Sequence, residues 1–507
     1  MPAKELLVPT LICLVFLALA VYVSPGGREP GDNGIKFIQA RDLVQNNYQS
    51  FQARYKGLPV DPTYKYFPMA NLPGYFIHKV GDAYYYVFPI FLTIVIAPLL
   101  QLLGVQGPYL ITTLPLAGLI FLLWHWSAQL GMRFSTRLAT LLLICCGTAM
   151  LHYDLILSEY GLALALTNSA LFLIWKAIRT DRLALFILAA VPFGLVAFVR
   201  QETVLLALLL PANYLLFSFR EARVWQAVIA YGLILTAMVA MQFGINYQIF
   251  GVPLGLRQLQ QMDEMGQGFL QSRLAMFIEI FFYGRFSVGL LAAFPVLLIA
   301  AFQYKKARTQ SQATNILALA VLGYALLIPL ATVTYQGVGW GPRFLLVILP
   351  YLLLYAMQLI DGALQQQKHA LLKTITYTAI AYSVTGSLIA ANLMIFSNRL
   401  LQYSHRYIEQ HSRPVLIFLQ PEMVTSAFGF HDSKYMFTLR NLDDTADLLQ
   451  RIRRLHQDSV TFIDHRGQLQ TKLAELQKKS GNRLQTEQLL NWELRGLGGD
   501  LLNARIR

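Results

Sequence analysis

The chain has 507 residues, of which 56% are hydrophobic and only 13% charged, and its mean hydropathy is +0.47. That balance excludes an ordinary soluble globule, because apolar runs close to the ~20 residues needed to cross a bilayer recur along the whole chain. A formal charge of +14 would point to nucleic acid in a soluble protein, but much of it falls in short loops between apolar runs, where it reports topology and gives no reason to expect a nucleic-acid partner.

The first apolar run, about Leu6 to Val23, has no small-residue cleavage site behind it and reads as an uncleaved first helix. Just past it stands Gly31-Asp32-Asn33-Gly34. A carboxylate a few residues beyond a span sits where lipid gives way to water, within reach of a lipid-borne and a polar substrate. The same four residue types also favour turns for local reasons. Residues 24 to about 107 read as one long first loop, carrying Asp32, Lys36, Arg41 and the stretch Tyr64-Lys65-Tyr66-Phe67-Pro68. Within it, 84–104 is apolar but opens with Tyr84, Tyr85, Tyr86 and Phe88, contains Pro89 and Pro98, and closes at Gln101 and Gly104. Such a segment is expected to lie at the interface instead of crossing.

From 108 onward, basic clusters set the orientation: Arg133 and Arg137; Lys176, Arg179 and Arg182; Arg220 and Arg223; Lys305, Lys306 and Arg308; and Lys368. Cytoplasmic loops collect Lys and Arg, so these clusters share one side. Two crossings separate each from the next: 137–152 and 159–178, 183–200 and 202–219, 225–245 and about 282–303, 314–335 and 341–360. With 84–104 out of the count, the parity closes at about eleven crossings. Residues 153–158, Arg200, 246–280, 334–340 and everything after 397 then fall outside the cytoplasm. The expected architecture is an all-α polytopic body over 1–397, in a plasma or inner membrane, followed by a small extracytoplasmic α/β domain over 398–507. In that domain Pro414 to Leu419 and Ser459 to Asp464 read as strands, Asp443 to Leu455 as an amphipathic helix, and the chain from about Gln468 as a polar helical tail.

Cys13, Cys145 and Cys146 all lie in apolar runs and offer neither a disulfide framework nor a spaced metal set. No His-x-x-x-His pair, phosphate loop, nucleotide-binding glycine motif or Gly-x-Ser-x-Gly elbow occurs. No cofactor is therefore implied, and a divalent metal has no ligand motif to support it. Polar groups instead gather at four places on the non-cytoplasmic side: the first loop; Ser158-Glu159-Tyr160; Arg200-Gln201-Glu202, lodged between two apolar runs; and Gly339-Trp340-Gly341-Pro342-Arg343-Phe344. Ionisable groups at membrane depth are costly and are functional or paired. Each has a plainer reading. Glu159 can favour a helix N-terminal dipole, Arg200 and Glu202 can pair with each other or snorkel, and Arg343 can anchor a helix start. Arg257, Arg273 and Arg285 read as solvated or headgroup contacts.

Together these sites resemble the GT-C class of polyprenyl-phosphate-dependent glycosyltransferases, which includes the protein O-mannosyltransferases and the aminoarabinose transferases of lipid A. Asp32 matches the acidic residue close behind the first helix. Pro68 to Leu103 looks like the interfacial segment of the class. Leu155-Ile156-Leu157-Ser158-Glu159 resembles its acidic helix start, and Gly341-Pro342-Arg343-Phe344-Leu345-Leu346 with Pro350 resembles a late-helix stretch of many members. The likeness covers about residues 1–400 in layout. Many members carry two adjacent acids in the first loop, whereas here Asn33 follows Asp32. The resemblance implies transfer of a sugar from a polyprenyl-phosphate donor to an acceptor (protein, lipid or glycan), with inversion at the anomeric carbon. Asp32 is then the base, with Arg200, Arg343 and Lys36 holding the phosphate. Tyr64, Tyr66, Glu159, Glu202 and Trp340 line the substrates. Two alternatives share these residues. A transporter or flippase would bind an anionic or lipid-linked substrate with the same arginines and couple protons through Glu159 or Glu202. A polymerase or ligase of surface polysaccharide would use the same donor chemistry.

Overall fold

The computed structural model describes residues 3–23, 31–71, 76–258, 269–284, 287–304, 311–332, 339–366, 370–481, 483–494 and 497–506. Arg285 and the clusters at 305–308 and 368 lie outside the described residues. The chain divides into two compact units: Met1–Ser24 with Pro108–Met394, and Pro25–Gly107 with Ile395–Arg507. The sequence reading kept 24–107 with the membrane body. The chain instead gathers that loop with its C-terminal part.

The first unit is helical. Among the described residues, six helical runs are long and apolar enough to cross a membrane: Glu5–Val23, Ile90–Gln129, Tyr160–Thr180, Ala222–Phe250, Gln312–Ala331 and Ala370–His411. Phe134–Gly147, Leu183–Ala197 and Thr203–Ser218 are apolar but shorter. The expected crossing at 282–303 is no single helix. It holds a two-residue strand β3 (Ser287–Val288) and two short helices, Leu290–Ala293 and Val296–Gln303. Pro295 opens the second of these, and a proline cannot donate into a preceding helical turn. The expected 341–360 helix starts only at Leu349. Hydropathy registers a continuous apolar run; it does not register where the backbone breaks inside one.

Close packing in this unit follows from small and aromatic residues. The Tyr160–Thr180 helix lies against Leu110–Gln129, and a Cβ at Gly161 would come within 2.3 Å of the Thr112 carbonyl oxygen. Only glycine permits that approach. Trp126 fills the interior between Trp175 and Tyr351, with ring centroids 5.8 and 5.3 Å away. At one end Arg133 pairs with buried Asp361 at 2.8 Å, and Arg137 lies over Trp124 at 4.0 Å and reaches Glu5 at 3.5 Å. Cys13 Sγ approaches the Ala117 carbonyl at 3.8 Å. Glu5 by the Trp124 end and Cys13 by Ala117 make the first helix antiparallel to Leu110–Gln129. Val23 and Leu110 thus lie toward the same end of this unit.

The second unit is mixed. Helix Gly31–Gln45 packs on helix Ile90–Leu103, whose 14 residues span roughly 21 Å at 1.5 Å per residue, short of the ~30 Å hydrocarbon core. A hairpin of β1 (Ile77–Val80) and β2 (Ala83–Tyr86) precedes it, turning at Gly81 with φ +59°. The C-terminal residues build a five-stranded sheet from β5 (Val415–Phe418), β6 (Tyr435–Thr438), β7 (Ser459–His465), β8 (Leu484–Leu494) and β9 (Leu497–Ile506), in the order β6-β5-β7-β9-β8. β5 is parallel to both its neighbours and buried along its length, which is why it reads as an unbroken Val-Leu-Ile-Phe. β7, β9 and β8 pair antiparallel. Helices Thr445–Arg453 and Gln468–Lys479 flank the sheet. The expected helical tail is thus corrected: it is helical only to Lys479, and the last residues are a long hairpin. Adjacent polar Glu487 and Gln488, where the register shifts, break the period-two pattern of β8.

Ion pairs and hydrogen bonds bind the first loop to this sheet. Thr438 N donates to the Tyr66 carbonyl at 2.9 Å, the Tyr66 hydroxyl to Asp447 at 2.6 Å, and Lys65 to Asp444 at 2.8 Å. Asp61, fully buried, accepts from the backbone N–H groups of Lys65 and Tyr66 and from the Tyr55 hydroxyl, at 3.1, 2.8 and 3.0 Å. Arg451 stands 3.8 Å away from it.

Candidate active site

In the helical unit the three polar stretches singled out by sequence meet around one ring. Tyr160, 1% exposed, opens the helix Tyr160–Thr180. The Arg200 guanidinium lies over its face, 4.4 Å from the centroid, and Arg343 Nε donates to its hydroxyl at 2.8 Å. Arg200 is buried between two carboxylates, pairing with Glu159 at 3.3 Å and with Glu202. Arg200 and Glu202 thus pair with each other directly. Glu159 stands at the N-cap of its helix, but makes no side-chain capping bond there.

Local backbone explains how Arg343 arrives. β3 pairs in parallel with β4 (Gly339–Trp340), and Gly341 N donates to the Val288 carbonyl at 3.0 Å. Gly341 has φ +86° and faces the Phe294 ring, so a side chain there would be strained and crowded. Pro342 then leads into a single tight turn, Arg343–Leu345. The next α-helix begins six residues after Arg343, so this arginine does not anchor a helix start. Trp340 packs its indole on Gly386, where a Cβ would come within 2.2 Å of the ring, and 5.7 Å from Tyr382. Its buried N–H has no hydrogen-bond partner among the described residues.

In the second unit Asp32 occupies the first turn of helix Gly31–Gln45, which Gly31 enters at φ +56°. The Gly-Asp-Asn-Gly stretch is thus a helix start and not an isolated turn. Lys36, one turn on and on the same helix face, is 3% exposed and lies 5.2 Å from the Phe88 ring centroid. Tyr64 holds an unusual φ of +58° and stacks among Tyr55, Phe67 and Tyr84. Tyr66 is buried, with its hydroxyl committed to Asp447; it is part of this unit's packing and does not present its face to a sugar. Arg273 also departs from expectation. It is buried in helix Phe269–Phe281 and donates to the carbonyls of Pro329 and Thr332, so it is no solvated loop residue.

One carboxylate escaped the sequence reading. Asp154 closes the short helix Met150–Asp154, is fully buried, and among the described residues has no donor in hydrogen-bonding geometry at either oxygen. Burial pushes its carboxyl up to about 7, an effect the nearby Thr113 hydroxyl offsets only in part. A signal was present: Asp154 is the acid in the 153–158 connection, four residues before Ser158.

No family model matches the sequence, and no curated protein matches it. Among solved structures the chain is similar to the oligosaccharyltransferase of Archaeoglobus fulgidus, crystallised with an acceptor peptide containing the NVT sequon tethered through a disulfide bond. The identity is 10% and the TM-score 0.40, over 99% of this chain and 74% of that one.

Proposed function

We propose that the chain is a multi-pass membrane glycosyltransferase of the GT-C type, taking a sugar from a polyprenyl-phosphate donor on the extracytoplasmic face. The observation that carries this reading is the convergence of Arg200 and Arg343 on Tyr160. Guanidinium forks match phosphate bidentately and stay charged in a partly dry site. The two arginines divide the work. Arg200, already matched by Glu159 and Glu202, orients the group, and Arg343 supplies the charge that meets the donor phosphate, with Lys36 contributing to the same task. Tyr64 and Trp340 are the aromatic candidates for the sugar.

Asp32 is the base. It takes the proton of the acceptor hydroxyl as that oxygen bonds to the anomeric carbon. The carbon–oxygen bond to the phosphate breaks, and polyprenyl phosphate departs with the electron pair. A single displacement inverts the anomeric centre. The acceptor is a protein, lipid or glycan hydroxyl, and the 395–507 part lies on the same side as the acceptor. Asp154 is a second candidate for the base, favoured by its unpartnered oxygens and a carboxyl pushed up to about 7, where base and acid forms coexist near neutral pH.

A transporter reading needs Glu159 or Glu202 for proton coupling, and both carboxylates are engaged by Arg200. The test is the purified chain in proteoliposomes with a polyprenyl-phosphate-linked radiolabelled sugar. Transfer of label to an added hydroxyl acceptor, abolished in Arg343→Ala, supports the enzyme. Passage of the labelled lipid across the bilayer without transfer overturns it.

A further inference from the structure

In the second unit three side chains with metal-ligating atoms come together: Asp42 from helix Gly31–Gln45, and His431 and Asp432 from the turn that follows Pro421–Phe430. We propose that they form a divalent transition-metal site, best matched to zinc, which clasps the first-loop helix to the C-terminal sheet. Their ligand atoms all lie within 4.8 Å of one another.

The orphaned atoms make the case. Asp42 is 1% exposed and His431 8%. Asp42 Oδ2 is fully used, accepting from the Arg54 backbone N–H at 2.8 Å and the Tyr86 hydroxyl at 2.7 Å. These two bonds fix the carboxylate and turn Oδ1 toward His431 Nε2, 3.4 Å away. Among the described residues neither of those atoms has a hydrogen-bond partner. Buried polar atoms without partners are rare and cost about 1–3 kcal/mol each. A cation between them satisfies both lone pairs. Two ligands of one tetrahedral zinc, each about 2.0–2.1 Å from the metal, stand roughly 3.3–3.4 Å apart, which is the separation found here.

Asp432 supplies the third ligand. Its Oδ2 is held by Arg41 at 3.0 Å, and Arg41 is itself steadied over the Phe37 ring at 5.1 Å. Partners of this kind orient metal ligands. His431 also lines a small cavity beside Lys56, Met69 and Lys434. Lys56 is turned to the carbonyls of Asp432 and Ser433, and Lys434 to Ser412, so neither ammonium occupies the metal position. One imidazole and two carboxylates are a ligand set that suits zinc. His431 and Asp432 adjoin in sequence while Asp42 stands near the other end of the chain, so no spaced motif reveals the site.

The test uses the full chain in detergent, stripped with chelator and titrated with Zn²⁺, and with Co²⁺ as a spectroscopic probe. One equivalent of zinc should bind, Co²⁺ should give a tetrahedral absorption spectrum, and zinc should raise the melting temperature. His431→Gln should weaken zinc binding at least ~100-fold and remove the thermal shift. Should His431→Gln not fold, Asp432→Asn, at a half-buried position, carries the same expectation with a smaller loss. Failure of the stripped wild type to take up one equivalent of zinc on titration overturns the site. So does unchanged zinc affinity in both variants, or a stability loss in His431→Gln that is the same with and without zinc, which marks a plain His–Asp ion pair.

Discussion

Around Tyr160 in the helical unit, Arg200 pairs with both Glu159 and Glu202 while Arg343 donates to the Tyr160 hydroxyl, and among the described residues the buried acid Asp154 has no donor in hydrogen-bonding geometry. In the unit of 25–107 and 395–507, charges recur at junction after junction: Arg41 with Asp432, Lys65 with Asp444, Tyr66 with Asp447, and Asp61 beneath Arg451. Apolar helices pack without polar help, so a charged group among them is retained for something other than cohesion. The second unit joins segments more than 300 residues apart in sequence, and there ion pairs and hydrogen bonds stand beside ring contacts such as Tyr55 with Phe437 and add to the cohesion. The difference sorts mutations: in one unit polar substitutions should alter chemistry, in the other stability.

The largest expected effect is on stability. Asp61→Ala removes a buried acceptor from two backbone N–H groups and the Tyr55 hydroxyl. Stranding such groups costs about 3 kcal/mol or more. Denaturant or thermal unfolding in detergent should show that loss, with transfer rate per folded molecule unchanged. A loss below about 1 kcal/mol would remove the idea that this seam is held by polar contacts.

Next comes Asp32→Asn, which keeps shape and helix position but removes the charge. Transfer should slow at least ~10²-fold, while the melting temperature moves little, since a first-turn carboxylate is worth only about 0.3–1 kcal/mol to its helix. A wild-type rate in Asp32→Asn moves the base to Asp154, and Asp154→Asn then becomes the variant that should fail. Arg343→Lys should follow, weakening donor use about tenfold because a point charge cannot reproduce the fork that also holds the Tyr160 hydroxyl. If Arg343→Lys leaves donor use unchanged but lowers the yield of folded protein, Arg343 belongs to packing.

What the sequence revealed divides along the same line. Hydropathy and loop charge found the long apolar helices, and the scarcity of charge in them made Glu159, Arg200, Glu202 and Arg343 visible. The structure brings those four together. Strand β5 was legible because a central parallel strand is apolar at every position, and β7 because Val460, Phe462 and Ile463 keep most of its middle apolar. The β8–β9 hairpin was not, because polar residues line much of β8 and a period of two is lost among them. Tyr66 read as a substrate contact because the resemblance to the GT-C class implied that Tyr64 and Tyr66 face the sugar. Its hydroxyl partner, Asp447, lies nearly 400 residues on, and pairings at that separation leave no local trace. Helix breaks at Gly104, Pro295 and Gly341 are local, but a break does not say whether the two sides still form one crossing.

The smallest expected effect tests the seam from the other direction. Asp447 is pushed up by burial but pulled further down by the Tyr66 hydroxyl, Arg451 and Lys65, so its carboxyl sits below the ordinary 3.8. A group whose folded pKa is depressed contributes stability that is fully present above its unfolded value and is lost as pH falls through the folded value. The melting temperature of the wild type should therefore hold from neutral pH down to about 4 as far as this group is concerned, and drop below it. Asp447→Asn, which cannot ionise, should be less stable at pH 7 by less than about 1 kcal/mol, because the side chain is 43% exposed and solvent screens the pair. The gap between variant and wild type should close below pH 4 and shrink in high salt. A gap that persists undiminished at pH 3 would mean that Asp447 holds Tyr66 by shape and hydrogen bonding alone, and that the seam is packed, not charged.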